Sequence, residues 1–298
     1  MLYKLDKEKS LVKNISRIAD EEINACLNSL ENLNIHEAVH DIRKRLKKLR
    51  ALSRLVRDEL GKKNFKAINT YFRDLGRGIS DLRDLTAHLE TIELLKERYG
   101  KHIYVNFFKA FTNNITQERD ELEESLRAEN FFTEHLVEKL KKAKEELTSW
   151  PVESDKIDII LPSIERVYKR GNKALKTAYK TPKSENFHEW RKRVKYLWYQ
   201  TLLLQDIWPN FFDTLEAEIH QLADFLGNDH DLMELKEKVL SADFELKDES
   251  RKELMLALIN EYSNSLRTEA RTKGELIYAE SPKDFKKRIG KYTEINWD

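Results

Sequence analysis

Three observations predict an all-α fold. Apolar residues return every three or four positions through long stretches of the chain. Charged residues, mostly Lys and Glu, make up 36% of the sequence, and its 298 residues include only 8 glycines and 5 prolines. A chain of this length suits one large domain or two of roughly 150 residues. The formal net charge is only +1, which excludes the global cationic excess of a protein that coats nucleic acid. Any anion-binding role must therefore arise from segregation of charge. A single cysteine, Cys26, excludes an intrachain disulfide framework. No stretch approaches the roughly 18 apolar residues of a membrane span, and the opening MLYKLDKEKS lacks a signal-peptide core. A cytoplasmic location with no membrane partner is expected.

Ile15, Ile18, Ala19, Ile23, Cys26, Leu27 and Leu30 predict a first helix over about residues 10–33, ended by the Asn-Leu-Asn turn at 32–34. Residues 39–60 read VHDIRKRLKKLRALSRLVRDEL. At 100° per residue, Ile42, Leu46, Leu49, Ser53, Val56 and Leu60 share one side of a helix, and His40, Arg43, Lys44, Lys47 and Arg54 share the other. Gly61 suits its C-terminus. Phe65, Ile68, Phe72 and Leu75 mark a third helix over about 62–80, a fourth covers about 81–99 before Gly100, and a fifth covers about 102–127. The Glu-rich segment 118–146 balances the charge of the chain and is expected to be solvated helix surface.

Near residue 150 the pattern changes, because TSWPVESDK brings the first proline and several turn-formers. A division into halves 1–150 and 151–298 is expected there. The first half then starts again. FHEWRKRVKYLW at 187–198 aligns without a gap to VHDIRKRLKKLR at 39–50, so His188, Arg191, Lys192, Arg193 and Lys195 match His40, Arg43, Lys44, Arg45 and Lys47 at an offset of 148. Trp190, Val194 and Leu197 stand where Ile42, Leu46 and Leu49 stand. LGRGISDLRDL at 75–85 corresponds to LADFLGNDHDL at 222–232, which sets Asp84 opposite Asp231 at an offset of 147. These pairs predict an internal duplication, two helical bundles about a pseudo-two-fold axis with like surfaces facing.

Eight of the eighteen residues from His40 to Arg57 are Lys or Arg, and only Asp41 among them is acidic. Like charges at i,i+4 repel, so the row points to an anionic partner supplied from elsewhere. The alternative is a merely solvated face, but solvation does not require the same register twice. Phosphate fits the donors best, since guanidinium forks bind its oxygens bidentately and lysines act as mobile point charges. Cations three or four residues apart lie about 5–6 Å from each other, a spacing that suits successive charged groups. His40 and His188 either donate to the anion, which favours their charged form, or serve as satisfied polar residues between helices. His36-Glu37-Ala38-Val39-His40 matches the H-E-x-x-H zinc signature. Ser184 replaces His36 in the second copy and the neighbouring cations would repel a metal, so no metal ligand and no cofactor is assigned.

These motifs, VHDIRKRLKKLR with RDL at 83–85 and FHEWRKRVKYLWY with LGNDHDL at 226–232, resemble the CHAD domain, the conserved-histidine α-helical domain. The resemblance runs from residue 10 to about 290. It implies two four-helix-bundle-like halves whose basic residues line a central cavity that binds inorganic polyphosphate without catalysis. It also implies an anion site of His40, Arg43, Lys44, Lys47, Arg50 and Arg54 with His188, Arg191, Lys192 and Lys195. Arg166, Lys169, Arg170 and Lys173 on the preceding helix would add to the lining, and Asp84 and Asp231 would orient it or link helices. Where the family often has Arg-Tyr, this chain has Trp198-Tyr199, and Leu202 stands in the position of Arg54, so the second half should offer fewer cations. No Gly-rich phosphate loop, nucleophile elbow or cluster of metal-binding carboxylates is visible, so a stand-alone binding module is expected. Single-stranded nucleic acid is the alternative partner, although no aromatic residue for base stacking lies among the charges at 40–54. A metal-dependent phosphohydrolase around His36 and His40 is a weaker alternative.

Overall fold

The structure, a computed structural model that describes residues 3–104, 106–128, 131–147, 150–242, 244, 246 and 248–297, is all-α, with no strand among the described residues. Ser10 starts α1 (Leu11–Asn32), its side chain accepting from the Lys13 N–H. Asn34 caps α2 (Ile35–Leu55) in the same way, accepting from the Glu37 N–H. The basic helix therefore begins and ends earlier than the apolar pattern predicts. It stops at Leu55, yet Val56 and Leu60 still reach the core at 1% and 2% exposure, which is why the periodicity runs past the break. The expected break at Gly61 is present. Its φ of 70°, which glycine adopts without strain, kinks the chain inside α3 (Arg57–Arg77).

The next helix, α4 (Ser80–Tyr99), closes in a 3-10 turn, Gly100–His102, and α5 is Lys109–Ala128. The fifth helix thus starts later than residue 102, because Phe107, Phe108 and Phe111 turn into the core as the chain enters it; residue 105, inside the expected span, lies outside the described residues. A π-helical turn, Phe131–Leu136, leads to α6 (Val137–Leu147). At the expected boundary, Thr148 and Ser149 lie outside the described residues. The chain continues through α7 (Leu161–Lys180), α8 (Ser184–Leu203), α9 (Pro209–Leu240), α10 (Glu249–Ile277) and α11 (Pro282–Asn296). Prolines at the start of α9 and α11 cost nothing there, because the first N–H groups of a helix have no intrahelical partner.

Helices α1, α2 and α3 pack in sequence, as do α7, α8, α9 and α10, while α2 also lies on α8 and α4 on α9. Among the described residues two hydrophobic cores result, and each draws on both sides of residue 150. The larger joins Ile18, Ile42 and Leu49 to Tyr168, Trp190 and Phe212. The smaller joins Ile92 and Phe111 to Leu235 and Ile259. Gly274 lets α10 close on α8, since a Cβ there would stand 2.6 Å from the Trp190 ring. Among the described residues no helix is long and apolar enough to cross a membrane.

Candidate functional site

Burial decides where the cations of α2 and α8 point. Ile42, Leu46 and Leu49 on α2 and Trp190, Val194 and Leu197 on α8 are all within 2% of complete burial. With those stripes in the core and the two helices packed together, Arg43, Lys47, Arg191 and Lys195 gather in the space between them. Two cavities of about 490 and 450 Å³ meet there, and these four cations, with Tyr199 and His230, line both. They form the neck of one cleft with two mouths.

Compensation at the neck is sparse. Arg43 donates to the Gly76 carbonyl at 3.0 Å and has Asp84 at 3.8 Å. The Arg191 Nε is buried without a partner. Lys195 sits 4.7 Å above the Trp198 ring. Among the described residues Lys47 and Lys195 enter no ion pair. Lys47 touches the water of the cleft yet has protein close around it, and this desolvation, with Arg191, Arg43 and Lys195 nearby, pushes its ammonium down to about 7. Burial and Arg191 push Lys195 down to about 8, against the pull of Asp224 and Asp231. His188 and His230 meet through their Nδ1 atoms at 3.1 Å. Burial, followed by neighbouring cations, lowers His188 to about 4 and His230 to about 2, so in the unliganded protein both rings are neutral, and across the contact one Nδ1–H donates to the other ring's bare Nδ1. His40 is lowered too, by partial desolvation and by Arg83.

The mouths differ. The first adds Arg50, Arg73, Arg77, Lys192 and Arg193 to the neck, giving nine cationic side chains against one lining carboxylate, Glu189. Glu189 pairs with Lys192 at 2.6 Å and with Arg193 at 2.9 Å, while Arg73 takes Asp74 at 2.8 Å from outside the lining. The second mouth adds Lys44 and Arg83, giving six cations, but also four carboxylates, Asp84, Glu90, Asp224 and Asp231. Arg83 is held by Glu90 at 2.8 Å. Trp198, standing where the family resemblance expects an arginine, lines this mouth, stacks on His220 at 4.4 Å and donates to Glu216.

The structure brings nine of the expected residues to the cleft. Arg43, Lys47, Arg191 and Lys195 form the neck, His188, Arg50 and Lys192 the first mouth, and His40 and Lys44 the second. Five others lie elsewhere. Arg54 shares its helical stripe with Lys47, but about 10 Å further along the axis, where α7 and α8 cover it to 9% exposure. There it stacks 4.1 Å from Tyr196, bonds Asn69 and, through its carbonyl, accepts from Ser163. With Arg166 and Arg170 it lines a separate small recess that touches the first mouth only at Arg193 and Tyr196. Arg166 is already paired with Asp58 at 2.9 Å, and Lys169 and Lys173 stand exposed on α7, lining neither space.

Nor is the charge of α2 wholly uncompensated. Glu22, buried on α1, binds Lys48 at 3.0 Å and Arg45 at 3.2 Å, and Asp41 takes Arg45 at 2.5 Å. The Glu-rich segment is likewise more than solvated surface, because Glu118 holds Lys238 and Glu123 holds the His36 Nε2 at 2.9 Å. His36 is thus a tie between α2 and α5. Among the described residues no group of three or more His, Cys, Asp or Glu is placed to hold a metal ion. The expected site left out Arg73, Arg77, Arg83, Arg193, Tyr196 and His230, although Arg193 stands in the repeated motif opposite Arg45. Arg83 and His230 had a signal, since they precede the matched Asp84 and Asp231 and both line the second mouth. Arg73 and Arg77 had none beyond a helical spacing of four.

Fold and cleft define an all-helical protein with two packed motif helices that turn cations toward each other. Residues 17–239 match the CHAD domain family model, and the chain belongs to that family. None of the curated proteins compared with it matches.

Proposed function

We propose that the chain binds inorganic polyphosphate in this cleft and does not turn it over. One observation carries the reading: Lys47, Arg191 and Lys195 stand together at the neck and, among the described residues, none of them enters an ion pair, although Asp224 and Asp231 act on Lys195 from the second mouth. Such a cluster is costly in an empty cleft and is relieved by a multivalent anion. Membership of the CHAD family is consistent with polyphosphate as that anion. The pairing of α2 with α8 and of α4 with α9 supports the companion proposal that two copies of one helical unit, 1–150 and 151–298, build the site about a pseudo-two-fold axis.

Single-stranded nucleic acid would draw on the same cations, and α8 does bring aromatic residues to the cleft. Their faces are taken: Tyr196 lies against Arg54, Trp198 against His220, and Tyr199 is 3% exposed. Base stacking adds about 1–3 kcal/mol per base to single-strand binding, and with these ring faces covered the cleft favours a polyanion without bases. The test is competition: bound polyphosphate should resist an equal phosphate concentration of single-stranded RNA, and displacement at parity would favour the nucleic-acid reading. Polyphosphate should be recovered unshortened.

A further inference from the structure

The arginine recess beside the first mouth is a second place where positive charge collects. Arg54 stands at the end of α2, Arg57 at the start of α3, Arg166 and Arg170 on α7, and Arg193 with Tyr196 on α8, so four helices from both sides of residue 150 converge there. No carboxylate lines the recess. Two reach its walls from outside, Asp58 to Arg166 and Glu189 to Arg193. Among the described residues Arg54, Arg57 and Arg170 enter no ion pair. Arg54 rests on Tyr196 at 4.1 Å and Arg57 on Phe65 at 4.7 Å, contacts that cover the guanidinium faces and cancel no charge. The Nε of Arg54, a side chain nine-tenths buried, has no hydrogen-bond partner, and neither has the buried Nη1 of Arg166.

Size selects the ligand. The recess encloses about 10 Å³, room for one particle of roughly the size of water, and a tetrahedral oxyanion does not fit. Water fits but neutralises nothing, and guanidinium groups keep their charge at physiological pH. A monatomic anion fits and also offsets the three unpaired charges. Burial, against the pull of Tyr196 and helped by Arg50, Arg193 and Arg170, pushes Arg54 down to about 10, the direction expected of a cation that lacks its anion. Arg170 is exposed, so its side chain can move to admit an ion. We infer that the recess is a halide site, filled by chloride, that ties α2, α3, α7 and α8 together where the two halves of the chain meet. The site is separate from the cleft, and it stands whatever the cleft binds.

Bromide reports on the site directly. Crystals of the full chain grown in sodium bromide should show an anomalous scattering peak in contact with Arg54, Arg57 and Arg170. Peaks confined to the cleft, or none, overturn the inference and leave the polyphosphate reading standing. Thermal melts supply a second readout. Replacing sodium gluconate by sodium chloride at constant ionic strength should raise the melting temperature by about 2 °C or more and then saturate, because the ion binds only the folded chain. Arg170→Gln should flatten that response, while the neighbouring Lys169→Gln, which lines neither recess nor cleft, should retain it. A response kept by Arg170→Gln, lost by both variants or absent from the unaltered chain contradicts the site.

Discussion

Lys47 and Lys48 are neighbours on one helix and meet opposite fates. Lys48 turns toward α1, where the buried Glu22 takes its ammonium at 3.0 Å. Lys47 turns toward α8, where desolvation and the charges of Arg191, Arg43 and Lys195 push its ammonium down to about 7. A row of lysines and arginines in a sequence is therefore not yet a site. The proposed site is the set of cations that the fold leaves without ion pairs among the described residues, Lys47, Arg191 and Lys195 between α2 and α8.

The comparison can be broken most sharply by reversing charge on the cleft side. The Lys47→Glu, Lys195→Glu double variant should lose at least 100-fold in polyphosphate affinity, because charge-assisted contacts are worth about 1.5–3 kcal/mol each. Its plot of log affinity against log salt should also be shallower, since fewer counterions are released. Lys139→Glu with Lys141→Glu, on the exposed face of α6, should change affinity less than about three-fold. Equal losses measured by isothermal titration would remove the site.

The other side of the comparison concerns stability. Lys48→Met leaves the buried Glu22 with Arg45 alone and should cost about 1–3 kcal/mol in urea unfolding, with affinity unchanged. A loss of affinity in a variant that remains folded would show that the α1 face also belongs to the site.

pH separates the two effects by sign. Lys47 and Lys195 titrate in the free protein near 7 and 8, below the ordinary lysine value of 10.5. A bound polyanion favours the charged amines, so binding takes up protons and affinity should fall as pH rises from about 7 toward 10. For the unliganded protein the unfolded chain holds more protons over the same window, so this contribution to stability rises with pH there. Affinity and apo stability should move in opposite directions. A parallel decline in both, followed by titration calorimetry and thermal melts, would argue against depressed lysines.

The smallest effect is expected at the zinc-like motif. His36→Ala removes a partly exposed pair with Glu123 and should cost no more than about 1 kcal/mol. Polyphosphate affinity should persist in that variant and after treatment with a chelator.

Much of this architecture was legible in the sequence because helices bury one stripe, and Ile42, Leu46 and Leu49 are buried as their spacing predicts. The cations that line the neck were legible for the same reason, being opposite that stripe at matched positions in both halves. What escaped depends on contacts between distant segments. Nothing local marks Glu22 as the partner of Lys48, 26 residues away. Arg54 follows the same stripe as Lys47, yet α7 and α8 cover it, a fact that belongs to the packing. The end of α2 at Leu55 was hidden because the chain after the break returns Leu60 to the same core.

Amine footprinting tests the central claim most directly. The protein is treated at about pH 8 with a neutral acylating reagent, with and without polyphosphate, and modification of each lysine is read by mass spectrometry. The account predicts that Lys47 and Lys195, partly neutral at that pH, react readily when free and are shielded by polyphosphate, while Lys48 is unaffected by it. Lysines of α6 shielded as strongly as Lys47, or a Lys47 that stays reactive in the complex, would contradict it.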